Sequence, residues 1–123
     1  MKTFIILGAI NAFLAVGLGA FGAHALEGKL EPKYLEVWKT GVTYQMFHAL
    51  GLIAIGILSG NVQASSLLGW SGWAMLIGII LFSGSLYVLS ISGIRVLGAI
   101  TPFGGVAFLI SWVLLIVFAV KHV

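Results

Sequence analysis

The sequence predicts an all-α integral membrane protein, a four-helix bundle with a short interfacial amphipathic helix between spans 1 and 2. Three observations carry that expectation. Hydrophobic residues make up 61% of the 123 residues and charged residues only 7%, where a soluble domain carries about 45–50% and about 25%. Six Lys and Arg with three acidic residues are too few to cover a soluble core with a polar shell. Four apolar stretches, residues 3–26, 41–59, 67–90 and 97–120, each reach roughly 28–36 Å as helix, the thickness of a hydrocarbon core. In lipid their backbones must be satisfied internally, which leaves helix as the form. Residues 1–123 are read as a single transmembrane domain.

In the first stretch, Lys2, the apolar run and Ala23-His24-Ala25 imitate a signal peptide, but the apolar run exceeds the usual length of about 7–15 residues. It is read as the first span. The connection after it holds Glu27, Lys29, Glu31, Lys33, Glu36 and Lys39, and Glu31-Pro32 resembles a helix start. Tyr34, Leu35 and Trp38 then share one face and Lys33, Glu36 and Lys39 the other. This predicts the interfacial helix, an anchor feeding the second span. The second connection, Gly60 to Ser66, is uncharged and turn-like, and Trp70 and Trp73 beyond it form an aromatic belt.

The fourth stretch leaves two readings open. Either the helix starts at Thr101-Pro102 and residues 93–100 dip into the protein as irregular backbone, or one continuous helix is kinked at Pro102. The first would aim amide groups near Phe103, Gly104 and Gly105 at an anion. Pairs of small residues at four-residue spacing, Gly8/Ala12, Ala15/Gly19/Ala23 and Ala74/Gly78, predict close helix approach in lipid. Lys29, Lys33, Lys39 and Arg95 on one side against Lys2 and Lys121 on the other predict cytoplasmic connections and both termini outside.

Four words of sequence resemble a known family. They are Gly19-Ala20-Phe21-Gly22-Ala23-His24-Ala25-Leu26, Trp38 through Gly51 with Tyr44-Gln45-Met46-Phe47-His48 at its centre, Leu81-Phe82-Ser83-Gly84-Ser85-Leu86-Tyr87, and Gly98-Ala99-Ile100-Thr101-Pro102-Phe103-Gly104-Gly105. In this order they closely resemble the YwdK/YgdD family of small bacterial membrane proteins of unknown function, across essentially the whole chain. The resemblance implies a four-span protein of the bacterial plasma (inner) membrane and carries over no activity and no catalytic residue.

Polar residues concentrate in one leaflet: His24, Tyr44, Gln45, His48, Tyr87, Arg95 and Thr101, with Ser83 and Ser85. They are either interhelical packing bonds or the lining of a ligand-binding site. His48, sharing a face with Tyr44 and Gln45, is expected to be buried and hydrogen-bonded. Arg95 is expected to face the bundle and reach an acceptor, because its connection is short. Asn11 stands in the opposite half of the first span and reads as packing.

Several chemistries fail on inventory. The chain has no Asp, and every Glu lies in the first connection, so no carboxylate relay, no paired-carboxylate chemistry and no Ser-His-Asp triad can form within the membrane. Without Cys there is no disulfide, thiol catalysis or iron–sulfur site, and two His without a nearby acid make a poor zinc site. A net charge of +3 is too small for a nucleic-acid footprint. The expected function is therefore non-enzymatic, with no cofactor and no metal. It is binding of a lipid, small molecule or partner membrane protein, in a homo-oligomer among membrane lipids, or alternatively service as a subunit of a small-solute transporter or channel.

Overall fold

A computed structural model of the chain describes residues 2–61 and 66–123, so most of the expected Gly60–Ser66 turn lies outside the described residues. The described residues hold no strand. Four helical segments, Lys2–Leu26, Pro32–Gly60, Ser66–Ser92 and Arg95–His122, are long and apolar enough to cross a membrane.

The spans differ in how far they keep to a regular α-helix. Helix α1 (Lys2–Phe21) ends in a π-helical turn, Gly22–Leu26, and the chain then reverses at Gly28, whose φ of 85° suits glycine. Helix α2 runs unbroken from Pro32 to Asn61. The expected interfacial helix is therefore not a separate element but the first turns of the second span. The physical reason is local: nothing in Trp38-Lys39-Thr40-Gly41 breaks a helix, and the Thr40 and Thr43 hydroxyls donate back to the carbonyls of Glu36 and Lys39 at 2.9 and 3.0 Å. At about 45 Å, α2 is longer than the hydrocarbon core.

The third span consists of α3 (Ser66–Gly78), a π-helical turn at Ile79–Ser83 and α4 (Gly84–Ser92). Gly93, at φ 71°, ends it and donates its N–H to the Leu89 carbonyl at 2.8 Å. That left-handed residue excludes a continuous helix through the third connection. A 3-10 turn at Arg95–Ala99 leads into α5 (Thr101–His122). Of the two readings of the fourth stretch, the helix start at Thr101 is the one adopted, with Ile100 rather than Thr101 in the cap position. Residues 93–100 do not dip into the protein, however: none of them is buried, because they cap the end of the bundle around a 3-10 turn. The Phe103 N–H is taken up by the Ile100 carbonyl at 3.0 Å.

Spans 2 and 3 form the centre. In their most apolar stretches 44% and 39% of residues are buried, against 22% in each of spans 1 and 4. Leu52, Ile55 and Met75 are fully enclosed. Span 1 packs along α2 and α5 packs along α3. Glycines allow both approaches: a Cβ on Gly8 would sit 2.7 Å from the Ala49 carbonyl oxygen, and one on Gly104 would collide with the Phe82 backbone. Spans 1 and 3 meet where Phe4 covers Gly72 and packs edge-on against Trp73 at 5.3 Å.

Candidate functional site

Toward the other end, spans 1 and 3 leave a cleft of about 300 Å³ between them, with α2 as its floor. Leu14, Leu18, Ile79 and Ile80 form its apolar walls. Its polar lining comes from three spans: Asn11 on α1, Gln45 on α2 and Tyr87 on α4. The Tyr87 hydroxyl donates to Gln45 Oε1 at 2.6 Å, Gln45 Nε2 donates to Asn11 Oδ1 at 3.0 Å, and Asn11 Nδ2 donates to the Leu7 carbonyl at 2.8 Å. Gln45 and Asn11 are 4% and 8% exposed.

Local sequence positions each member. Gly41, one turn before Gln45 on α2, has no side chain where the Tyr87 ring lies, since a Cβ there would stand 2.9 Å from Tyr87 Cε1. Ser83, the last residue of the π-helical turn, donates to the Gly41 carbonyl at 2.7 Å and holds span 3 in register with α2. Trp38 wedges behind Tyr87 with ring centroids 4.7 Å apart, and its indole N–H donates to the Leu18 carbonyl at 2.9 Å. It stacks over Gly22, where a Cβ would meet it at 2.6 Å. Expected at the membrane surface, Trp38 is instead buried at 3% exposure, because Gly22 opens a slot for the indole between spans 1 and 3.

The remaining expected site residues do not join this chain. His48 Nδ1 meets the Tyr44 carbonyl at 2.7 Å, and its Nε2 meets the Trp112 indole N–H at 3.0 Å. The indole can only donate and the carbonyl can only accept, so the ring is held as the neutral Nδ1–H form. Its partners are thus backbone and span 4, rather than the Tyr44 and Gln45 side chains on its own helix. Tyr44 is half-exposed against Phe82, with centroids 4.5 Å apart. With His48, Phe108 and Trp112 it lines a second groove of about 470 Å³ between spans 2 and 4. Thr101 shares a 2.6 Å hydroxyl contact with Ser85. His24 and Arg95 are exposed. The Arg95 side chain, expected to reach an acceptor, makes no hydrogen bond or ion pair with a described residue, because the 3-10 turn leaves it exposed at the end of the bundle.

Asn11 is the member the sequence reading set apart. Counting from an α2 that begins at residue 41 puts Asn11 and Gln45 at different depths. With α2 beginning at Pro32, both lie nearly the same distance along their helices from the first connection, and the amides meet. The signal was present in the sequence: an amide inside a span needs a partner, and so does an indole as deep in the fourth span as Trp112. Among the described residues no group of three or more His, Asp or Glu comes together in a way that could hold a metal ion.

Comparison with known proteins places the chain among proteins without an assigned activity. A family model described as a protein of unknown function, DUF423, matches residues 18–105. The UPF0382 membrane protein YwdK of Bacillus subtilis is 62% identical over 122 residues, covering 99% of each chain. A UPF0382 membrane protein of Staphylococcus saprophyticus is 57% identical, covering 95% of this chain and 96% of its own, and one of Staphylococcus epidermidis is 54% identical over 98% of both. No solved structure matches.

Proposed function

We propose that this chain, which belongs to the DUF423 family of membrane proteins of unknown function, is a non-enzymatic protein that binds the polar group of an uncharged amphiphile within the bilayer. The observation that carries this reading is the Asn11–Gln45–Tyr87 chain lining a cleft between spans 1 and 3. The cleft opens on the outer surface of the bundle, where its wall residues Leu14 and Ile80 are 43% and 61% exposed. A further space of about 250 Å³ beside Trp38 and Val88 shares Leu18 and Tyr87 with it and extends it toward the charged connection. Such a shape suits a ligand that enters sideways with its apolar body along the walls. No charged residue lines either space, so an ionised headgroup would lie there without a counter-charge, a costly arrangement in hydrocarbon.

The lining residues support binding rather than chemistry, since amides, a phenol and one serine hydroxyl that donates to the Gly41 carbonyl offer no acid–base pair. Full burial of Leu52, Ile55 and Met75 likewise supports a closed centre over a solute path. The bacterial relatives support a place in the plasma membrane, and the Lys and Arg distribution supports the first and third connections in the cytoplasm with both termini outside. A reporter fused at Val123 and active only in the cytoplasm would reverse that topology.

The binding reading is tested by purifying the protein from membranes in mild detergent and extracting its neutral lipids. The native chain is expected to retain a neutral amphiphile that Gln45→Met, with an unchanged helical spectrum, has lost. Equal neutral-lipid content in the two proteins would end the reading.

A further inference from the structure

The directions of the hydrogen bonds along the cleft floor select the ligand's polar group, an inference that rests on the cleft being a binding site. The Leu7 carbonyl can only accept, so the Asn11 group facing it at 2.8 Å is the amide nitrogen. Asn11 therefore turns its oxygen to Gln45. Gln45 must answer with its own nitrogen, at 3.0 Å, and turns its oxygen to Tyr87. Tyr87 then has no choice but to donate, at 2.6 Å. One backbone carbonyl on α1 thus sets the polarity of a chain that crosses three spans.

That polarity leaves an imbalance. Every buried side-chain nitrogen and oxygen among the described residues has a partner, but each amide nitrogen carries two hydrogens and only one of each is used here. Asn11 and Gln45 both border the cleft. The phenolic hydrogen, the donor that an alcohol-like competitor would share, is already committed to Gln45 Oε1. An unused N–H in hydrocarbon is unfavourable until an acceptor reaches it.

We infer that the cleft takes an amphiphile whose polar group is a neutral carbonyl oxygen, accepting from the spare N–H groups of Gln45 and Asn11. A carbonyl accepts without bringing a hydrogen of its own, whereas an alcohol's hydrogen would have to share the Asn11, Gln45 or Tyr87 oxygens, which already take part in the chain. An ester lipid and a prenylated quinone both offer such an oxygen.

The test compares three probes of equal chain length, a long-chain ketone, the corresponding alcohol and the alkane, by native mass spectrometry of the full chain in detergent. The ketone is expected to be retained about five-fold better than the alcohol, the worth of one additional neutral hydrogen bond. Tyr87→Phe keeps the ring against Trp38 and releases Gln45 Oε1 as an acceptor. Its preference is expected to shift toward the alcohol, a gain that loss of folding cannot imitate. If ketone and alcohol bind equally and both exceed the alkane, the carbonyl inference falls while the binding site stands. If all three bind alike, both fall. Displacement of the ketone by a prenylated benzoquinone or by a diacylglycerol supports the inference and identifies the source, and displacement by neither overturns it for natural lipids.

Discussion

Two interfaces of the bundle hold buried polar side chains whose hydrogen bonds are arranged differently. Between spans 3 and 4, Ser71 and Ser111 are fully buried, and each hydroxyl donates to the other's backbone carbonyl, at 2.8 and 2.6 Å, with the two oxygens 3.0 Å apart. Every hydrogen there has an acceptor. Between spans 1 and 3, the Asn11–Gln45–Tyr87 chain is also bonded end to end, yet it borders a cleft and keeps two amide hydrogens in hand. The difference is one of donor count: a serine hydroxyl has a single hydrogen to place, whereas each amide has two, so the first cluster closes on itself and the second keeps capacity at a cleft.

The most disruptive way to break the comparison is to part spans 3 and 4. Gly104→Leu places a side chain where the Phe82 backbone already lies, and overpacking of this kind is expected to cost about 3 kcal/mol or more. Unfolding in detergent followed by circular dichroism should show loss of the cooperative transition. A normal transition would mean that the two helices can separate without penalty.

A smaller effect is expected from Gln45→Met, which strands the Tyr87 hydroxyl and the Asn11 oxygen. The loss should be roughly 1–2 kcal/mol in the same assay, accompanied by the loss of bound neutral lipid. Ser71→Ala paired with Ser111→Ala offers the contrast. Each single change should cost about 0.6 kcal/mol and the double change less than the sum, with lipid content unaltered. A change in retained lipid in the serine variants would erase the distinction between the two interfaces.

Trp112→Phe removes the donor to His48 Nε2 and is expected to cost about 1 kcal/mol, readable as a lower thermal midpoint with neutral-lipid content unaltered. Least of all is expected from Arg95→Gln. The guanidinium makes no hydrogen bond or ion pair with a described residue, so stability should stay within about 0.5 kcal/mol. A larger loss would reveal an acceptor that the isolated chain lacks.

Much of the fold is legible in the sequence. Four apolar stretches of membrane length could only be helices, and the glycines at Gly8 and Gly78 sit where neighbouring spans close in. The site was legible in part. Gln45 and Tyr87 stood out as polar residues inside spans, and they do meet. His24, Arg95 and Thr101 share only a leaflet with them, and sharing a depth says nothing about sharing a face.

The sequence by itself determined that this chain lives in a membrane as helices, because hydropathy and backbone satisfaction act along the chain and can be summed over it. Only the tertiary structure decided which polar residues meet. The continuity of α2 through Lys39 and Gly41 set the register that brings Asn11 level with Gln45. The π-helical turn at Ile79–Ser83 set how span 3 presents Ser83 to α2. Gly22 decided that Trp38 turns inward. Each of these depends on helix phase and depth relative to a neighbour, and neither is encoded at any one position of an apolar run.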